Sequence, residues 1–173
     1  RWFNIGRYYR YEKPQKGRRR EFFQLNIDIL GVDSITAEVE IISFVIDVMK
    51  EFKAPLDSFE LKINSRYLLD YLFSEILQVD EEIKPKLARA LDNYLKMPSS
   101  DFTQYLKELS LTEKQVSQIE EYLNWELTDL EKIKDVSKGA KEILELFQKL
   151  NDLSIPNVKF CPYVVRGLAY YTG

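Results

Sequence analysis

The sequence predicts an α+β fold in which an antiparallel sheet is interrupted by a helical insertion. Three observations support this prediction. Apolar and polar residues alternate through the first 30 positions, which is the period of a strand. Apolar residues then recur at helical spacing through the middle of the chain, and strand-like composition returns after about residue 154. A helical block that is bracketed by strands is most simply an insertion into a sheet domain.

The first two elements are predicted strands that flank a basic loop. Residues 2–12 and 21–30 alternate, and a segment rich in lysine and arginine separates them. Alternation places Arg10 and Glu12 on one face of the first strand and divides the second strand into two faces. The polar face consists of Gln24, Asn26 and Asp28, and the apolar face of Phe23, Leu25, Ile27 and Ile29. Such a polar face predicts the floor of a polar pocket.

A helix and a third strand are predicted next. Asp33 or Ser34 can cap a helix that runs to about Phe52, with apolar residues on one face. Pro55 then makes the turn into an alternating strand at residues 59–63. The β-β-α-β order favours an antiparallel sheet with a packed helix.

The chain beyond this strand is predicted to be mainly helical. Thr112 with Gln115 makes a capping-box pattern, and Pro98 marks a break between helices. The predicted helices cover residues 67–77, 81–95, 102–109, 112–123 and 136–150, and strand patterns return at 158–160 and 164–171. The expected regions are a first part of the core at 1–65, a helical insertion at 66–153 and a second part of the core at 154–173.

Positive charge is concentrated at the start of the chain. Residues 1–20 carry eight basic side chains and one acidic side chain, Glu12, whereas the whole chain has a net charge of −3. The other residues therefore carry about −10, so the basic cluster is local. Charge alone does not decide the role of this cluster, but together with the polar face of the second strand it favours a polyanionic ligand, such as a triphosphate, a nucleic acid or both. The alternative is a solvated hairpin tip whose charges prevent edge-to-edge strand pairing.

Composition argues against several other classes of protein. The single cysteine, Cys161, excludes an internal disulfide framework and is expected to be a small buried residue. With no histidine and no cysteine cluster, no metal site is predicted. No apolar stretch approaches about 18 residues and no signal-peptide pattern is present, which favours a cytoplasmic protein without a membrane span. The chain has no starting Met and begins within a predicted strand, so we expect a piece of a longer protein.

Two segments resemble motifs of one known family. The first is Arg10-Tyr-Glu-Lys-Pro-Gln-Lys-Gly-Arg, followed by Arg20-Glu-Phe-Phe-Gln and Asp28, which resembles motif 2 of the histidyl-tRNA synthetases. The second is Arg166-Gly-Leu-Ala-Tyr-Tyr-Thr-Gly, which resembles the histidine-specific signature of that family. The resemblance spans residues 1–173. It implies the antiparallel core of a class II aminoacyl-tRNA synthetase, of which the chain would cover the middle.

The resemblance implies a two-step reaction. The full-length protein is expected to activate histidine with ATP to histidyl-adenylate and to transfer the histidine to tRNA. Histidine, ATP and tRNA are therefore the expected partners, with Mg²⁺ accompanying ATP and no prosthetic group, and the full-length protein is expected to be a homodimer. Because motif 1, motif 3 and the anticodon-binding domain of the family have no counterpart here, the isolated chain is expected to be inactive.

Two arginines are the catalytic residues that the resemblance implies. Activation brings a carboxylate to the α-phosphate of ATP, and fixed cations stabilise the charge that develops at phosphorus. Arg10 and Arg166 match family positions that reach this centre from opposite sides. From the residues alone, an ion pair of Arg10 with Glu12 or Asp28 is equally open. For Arg166, the alternative is an ion pair with the acidic insertion.

The site residues that the resemblance implies, including the two arginines, bind three different ligands. For ATP they are Arg10, Glu12, Arg18 and Phe22, with Arg18 on the outer phosphates and Phe22 stacking on adenine. For histidine they are Arg10, Gln24, Asp28, Arg166, Tyr170 and Tyr171, with Asp28 and Tyr171 at the imidazole. For tRNA they are Lys13 and Gln15, expected at the loop tip near the acceptor stem. The alternatives are an ordinary packed aromatic for Phe22 and a strand aromatic pair for the two tyrosines.

One departure from the family pattern leaves a second function open. Ala169 stands where members of the family commonly have aspartate. The alternative is a synthetase-like regulatory subunit of histidine biosynthesis, which would bind a ligand without aminoacylation. The intact motif 2 pattern at residues 10–28 favours the synthetase.

Overall fold

A computed structural model describes residues 1–11, 13 and 15–165 of the protein. The chain forms two compact units, Arg1–Val45 and a second unit that starts at Ile46. The first unit contains the predicted hairpin and most of the helix that follows it, and the second contains the end of that helix and the later helices.

The first unit begins with a β-hairpin. Strand β1 is Trp2–Tyr9 and strand β2 is Glu21–Asp28, and they pair antiparallel with Trp2 opposite Asp28. This confirms the predicted pair of strands, although each strand is shorter than predicted. Between them, Gln15 and Arg18 exchange two backbone hydrogen bonds of 3.2 and 2.9 Å, which close a tight turn over Lys16 and Gly17.

Helix α1, Thr36–Glu51, follows the hairpin and confirms the predicted helix. The Ser34 hydroxyl accepts a hydrogen bond from the backbone N–H of Thr36 at 3.2 Å, so one of the two predicted capping residues serves the helix start. Acidic Glu38 in the first turn and basic Lys50 in the last turn both complement the helix dipole.

A short parallel pair of strands forms the sheet of the second unit. Strand β3, Leu61–Ile63, pairs with strand β4, Val158–Phe160, in a parallel register. The predicted antiparallel sheet is therefore correct for β1 and β2 but wrong for this pair. Parallel strands need a long crossover connection, and the chain between residues 64 and 157 supplies it, so both strands run in the same direction.

The crossover consists mainly of helices, and we call residues 66–152 the helical block. Its helices are α2 Arg66–Tyr71, which continues as a π-helical turn at Leu72–Ile76, α3 Lys84–Asn93, α4 Ser99–Glu108, α5 Glu113–Tyr122, α6 Leu127–Glu131 and α7 Lys138–Asp152. All five predicted helices are present with shifted ends, and α5 carries the predicted capping box of Thr112 and Gln115. Helix α6 was not predicted. Helix α4 starts directly after Pro98, one turn before the predicted start.

The helical block encloses a continuous apolar core. Leu68, Leu106 and Leu130 come from three different helices, and their exposure is 0%. Gly139 allows α7 to approach α2 closely, because a Cβ at this position would collide with the backbone of Leu68. Burial raises the pKa of the Tyr122 hydroxyl, which accepts a hydrogen bond from Asn64 at 3.2 Å.

Cys161 lies directly after β4 and is buried, as predicted for a small apolar residue. Among the described residues, every helix is too short or too polar to cross a membrane.

Candidate functional site

One face of the hairpin collects most of the predicted site residues that the structure describes. We call it the site face. The register places Tyr8 opposite Phe22 and Gly6 opposite Gln24. Because side chains alternate along a strand, the residues of this face are Trp2, Asn4, Gly6 and Tyr8 from β1 and Phe22, Gln24, Asn26 and Asp28 from β2. The prediction that Gln24, Asn26 and Asp28 share a face is confirmed.

Arg10 extends the site face beyond the end of β1. Its backbone N–H donates to the carbonyl of Arg20 at 2.8 Å, which continues the antiparallel ladder by one step. Its guanidinium carbon lies 4.0 Å from the centroid of the Phe22 ring, and its Nε donates to the carbonyl of Arg19 at 3.1 Å. A guanidinium held by a ring face and a carbonyl is restricted in direction, which suits the binding of an oxyanion.

Phe22 lies between two neighbours on the site face. The Tyr8 ring stacks beside it, with centroids 6.2 Å apart and planes inclined by 25°. On the tip side, the guanidinium of Arg10 contacts the ring, so the two predicted site residues are brought together. Stacking of Phe22 on adenine stays a prediction. An open cavity of about 570 Å³ lies at this end of the hairpin, lined by Arg10, Gly17, Arg19, Glu21, Phe22 and Phe23.

A chain of hydrogen bonds runs along the polar part of the site face. Gln24 donates through Nε2 to Asn26 Oδ1, and Asn26 donates through Nδ2 to the Tyr8 hydroxyl at 2.8 Å. The Tyr8 hydroxyl in turn donates to Asn4 Oδ1 at 3.1 Å. We call this series the amide–tyrosine chain. It links two predicted polar positions of the hairpin floor, Gln24 and Asn26, with Tyr8 and Asn4, which the sequence did not single out.

Gly6 is the reason that the amide–tyrosine chain fits on the strand. A Cβ at Gly6 would lie 2.9 Å from Asn4 Oδ1 and 3.3 Å from the Tyr8 ring. The missing side chain therefore leaves the space in which Tyr8 reaches Asn4. Asp28 lies at the far end of the same face, opposite Trp2, and its side chain is exposed.

Lys13 and Gln15 lie further from the tip of the hairpin than predicted. Lys13 and Gln15 were expected at the tip, but Lys16 and Gly17 form it, and Gln15 and Arg18 form the bridge below. The cause is Gly17, whose φ of +76° is easily adopted only by glycine and fixes the turn at this place. Lys13 lies before the bridge, and its side chain is exposed.

Four predicted site residues lie outside the described residues. They are Glu12, Arg166, Tyr170 and Tyr171. The polar residues that the sequence reasoning missed are Asn4 and Tyr8. Alternation backward from Arg10 gives both positions, but only the cross-strand register reveals that Tyr8 meets Phe22 and Asn26.

The fold is like that of a synthetase. The solved structure of histidyl-tRNA synthetase from Nostoc sp. PCC 7120 matches with a TM-score of 0.82 and 20% identity, over 99% of this chain and 42% of that chain. At this identity the similarity shows the fold alone, which is an α+β fold shared with that structure.

Sequence comparison identifies the family. Residues 1–173 match the family model described as histidyl-tRNA synthetase, so the chain belongs to the histidyl-tRNA synthetase family. A histidine–tRNA ligase from Leptospira biflexa is 34% identical over 176 residues, covering 100% of this chain and 40% of that protein. The chloroplastic/mitochondrial histidine–tRNA ligase of Arabidopsis thaliana is 32% identical over 177 residues, covering 99% of this chain and 36% of that protein. The chain thus spans about two fifths of the length of these relatives.

Proposed function

We propose that the protein containing this chain is a histidine–tRNA ligase, which activates histidine with ATP to histidyl-adenylate and transfers the histidine to tRNA. The observation that carries the proposal is Arg10, whose guanidinium is held over Phe22 at the end of a sheet face that also carries three amides and a carboxylate. Family membership and the names of the relatives support the same reaction.

The contacts of Arg10 support a role in the first step. When the histidine carboxylate attacks the α-phosphate, negative charge develops on the phosphoryl oxygens, and pyrophosphate leaves. A cation that is already oriented by Phe22 and the Arg19 carbonyl stabilises this charge without reorganising. By family resemblance, Arg166 acts from the opposite side, so we propose that both arginines are catalytic.

Histidine is proposed to lie along β2, between Gln24 and Asp28. These side chains share the site face, with Asn26 between them. Asp28 accepts a hydrogen bond from the imidazole, Gln24 contacts the polar end of the amino acid, and Tyr170 and Tyr171 complete the pocket as the family pattern implies. A site that binds imidazole through hydrogen bonds rejects amino acids that lack them, because its own polar groups would lose their partners.

ATP and tRNA are proposed to approach from the loop end of the hairpin. Arg18 contacts the outer phosphates, while Glu12 and Phe22 contact adenine. Gln15 lies beside Arg18 in the turn, and Lys13 precedes it. By family resemblance, both residues contact the acceptor end of the tRNA. Mg²⁺ enters with ATP, and no group of three or more potential ligand side chains lies together in the described part of the chain.

The domain organisation is also a proposal. We assign residues 1–65 and 154–173 to the catalytic core and residues 66–153 to a helical insertion. The pairing of β3 with β4 supports this assignment, because it joins strands from both parts of the core. Homodimer formation and a cytoplasmic location remain predictions.

Histidine-dependent exchange of radioactive pyrophosphate into ATP tests the reaction, with the full-length protein that contains this chain. We expect exchange with histidine and little exchange with other amino acids. If histidine binds but no adenylate forms with ATP and Mg²⁺, the protein is a sensing paralogue and the proposed reaction is wrong. Charging of tRNA by the same protein would test the second step.

A further inference from the structure

Tyr8 connects the two halves of the site face. Its hydroxyl accepts a hydrogen bond from Asn26 at 2.8 Å and donates one to Asn4 at 3.1 Å. Its ring stacks beside Phe22, which carries the guanidinium of Arg10. Tyr8 therefore contacts Phe22 of the proposed ATP site directly and reaches Gln24 of the proposed histidine site through Asn26, although it has no role in the proposed reaction.

The hydrogen bonds of the amide–tyrosine chain have a direction. A tyrosine hydroxyl has a single proton, and here that proton points to Asn4. The hydroxyl oxygen is then an acceptor for Asn26 Nδ2, and Asn26 Oδ1 is an acceptor for Gln24 Nε2. One N–H of the Gln24 amide is engaged with Asn26, which fixes the orientation of the amide, and the carbonyl oxygen Oε1 is its acceptor for a hydrogen bond from a ligand.

This orientation matches the chemistry of an amino acid. The α-ammonium group of histidine has only donors, so it needs acceptors from the protein. A glutamine amide that is free to rotate presents its NH₂ group and its carbonyl with similar ease. An amide that is held through Asn26 and Tyr8 presents the carbonyl. The Gln24 side chain has then lost its conformational entropy before the ligand binds, so binding does not have to compensate for that loss.

We propose that Tyr8 is a positioning residue, which fixes the Gln24 carbonyl toward the α-ammonium group of histidine through Asn26. This inference rests on the proposed function and adds a residue to the same site. Tyr8 does not touch the substrate. Its hydroxyl acts on the histidine end of the site face, and its ring supports Phe22 at the ATP end.

The hydroxyl and the ring can be tested separately in pyrophosphate exchange with the full-length protein. Tyr8→Phe removes only the hydroxyl, so we expect the KM for histidine to rise about fivefold, the factor that corresponds to one neutral hydrogen bond. The KM for ATP and kcat should change by less than about twofold, since the ring remains beside Phe22. Tyr8→Leu removes the ring as well and should also raise the KM for ATP.

Asn26→Ala tests the connection itself. If Asn26 carries the effect of Tyr8 to Gln24, this variant should also raise the KM for histidine, and the double variant with Tyr8→Phe should be no worse than Asn26→Ala alone. Tyr9→Phe is the matched control. Tyr9 lies next in the strand on the opposite face, its hydroxyl contacts Glu21 at 3.4 Å, and its loss should leave both KM values unchanged.

Two results would overturn the inference. One is an unchanged KM for histidine in Tyr8→Phe, and the other is an equal change for histidine and ATP, which indicates a purely structural residue. Calorimetric titration with histidine tests the inference independently of the proposed reaction. Weaker histidine binding by Tyr8→Phe supports the positioning role even if the unsubstituted protein shows no exchange, and absence of histidine binding by the unsubstituted protein refutes both.

Discussion

The hairpin and the helical block differ most clearly in the environment of their apolar side chains. Among the described residues of 1–30 none is buried, and Phe3 and Phe23 are 75% and 73% exposed. In the helical block, Leu68 and Leu106 are 0% exposed. The comparison shows that the candidate site residues and the buried residues that stabilise the fold lie on different elements of this chain.

The physical basis is the small size of the hairpin. A two-stranded sheet by itself is marginally stable in water, so its order depends on cross-strand pairs rather than on a core. Tyr8 with Phe22 on one face, and Arg7 with Phe23 on the other, are such pairs. Substitutions in the two regions should therefore change different quantities, either the free energy of unfolding or the kinetics at the site.

The largest effect is expected in the core of the helical block. Leu106→Ala removes a fully buried side chain and leaves a cavity, so it should lower the free energy of unfolding by about 3 kcal/mol. Urea denaturation followed by circular dichroism measures this change. Phe23→Ala on the hairpin is the control, because its ring is already exposed, and the loss should be less than about 1 kcal/mol. Equal losses would refute the contrast between the two regions.

The second-largest effect is expected on the rate of catalysis, from a substitution in the hairpin rather than in the helical block. Arg10→Ala in the full-length protein should lower the rate of histidine activation about a hundredfold, since one preorganised charged contact is removed. Pyrophosphate exchange at saturating substrates measures the rate. Arg7→Ala is a matched control from the same strand, with a ring neighbour in Phe23 at 5.4 Å and an ion pair to Glu21 at 3.1 Å on the opposite face. Similar rates for both variants would show that the site face is wrongly assigned.

A third effect separates recognition from chemistry on the same face. Asp28→Ala should raise the KM for histidine at least about tenfold and relax selectivity against other amino acids, because the imidazole loses its acceptor. The rate at saturating histidine should fall much less than in Arg10→Ala. Competition between histidine and other amino acids in pyrophosphate exchange measures the selectivity. Unchanged selectivity would place the imidazole elsewhere.

The smallest effect concerns the ion pair of Arg1 and Glu40 in the first unit. The hydrogen bond from Arg1 lowers the pKa of the Glu40 carboxyl below its usual 4.5. The pair therefore stabilises the fold above about pH 4.5, and this contribution is lost as the pH falls through the lowered pKa. Both side chains are exposed, so the effect is small. Arg1→Ala should return the pKa toward 4.5 in an NMR titration, and an unchanged pKa would exclude the pair in solution.

Local patterns in the sequence predicted much of the fold. The alternation around Gln24 and Asp28 gave the correct faces of β2, and the spacing of Thr112 and Gln115 gave a real helix start. Both signals depend on residues close together in the chain. The parallel pairing of Leu61 with Val158 could not be predicted in this way, because it depends on how the helical block returns the chain.

The candidate site shows the same limit. Arg10 and Phe22 were selected by family resemblance, but their mutual contact follows from the register of two strands. Tyr8 was missed because an aromatic residue in a strand is ordinary by itself, and its importance depends on which residues face it. Helix α6 was missed for a related reason, since it is five residues long and its start depends on reciprocal hydrogen bonds between Glu126 and Asp129.

The parallel pairing of β3 and β4 gives the helical block a modular character. With Ile63 opposite Phe160, the chain leaves the sheet at residue 63 and returns at residue 158, and these points are about 8 Å apart by strand geometry. A block whose entry and exit lie so close can change in length at its surface loops without changing the register of the two strands. A graft of foreign helices between residues 63 and 158 would therefore have to match this short gap and also cover Phe160 of β4, which packs in the same apolar core as the helices.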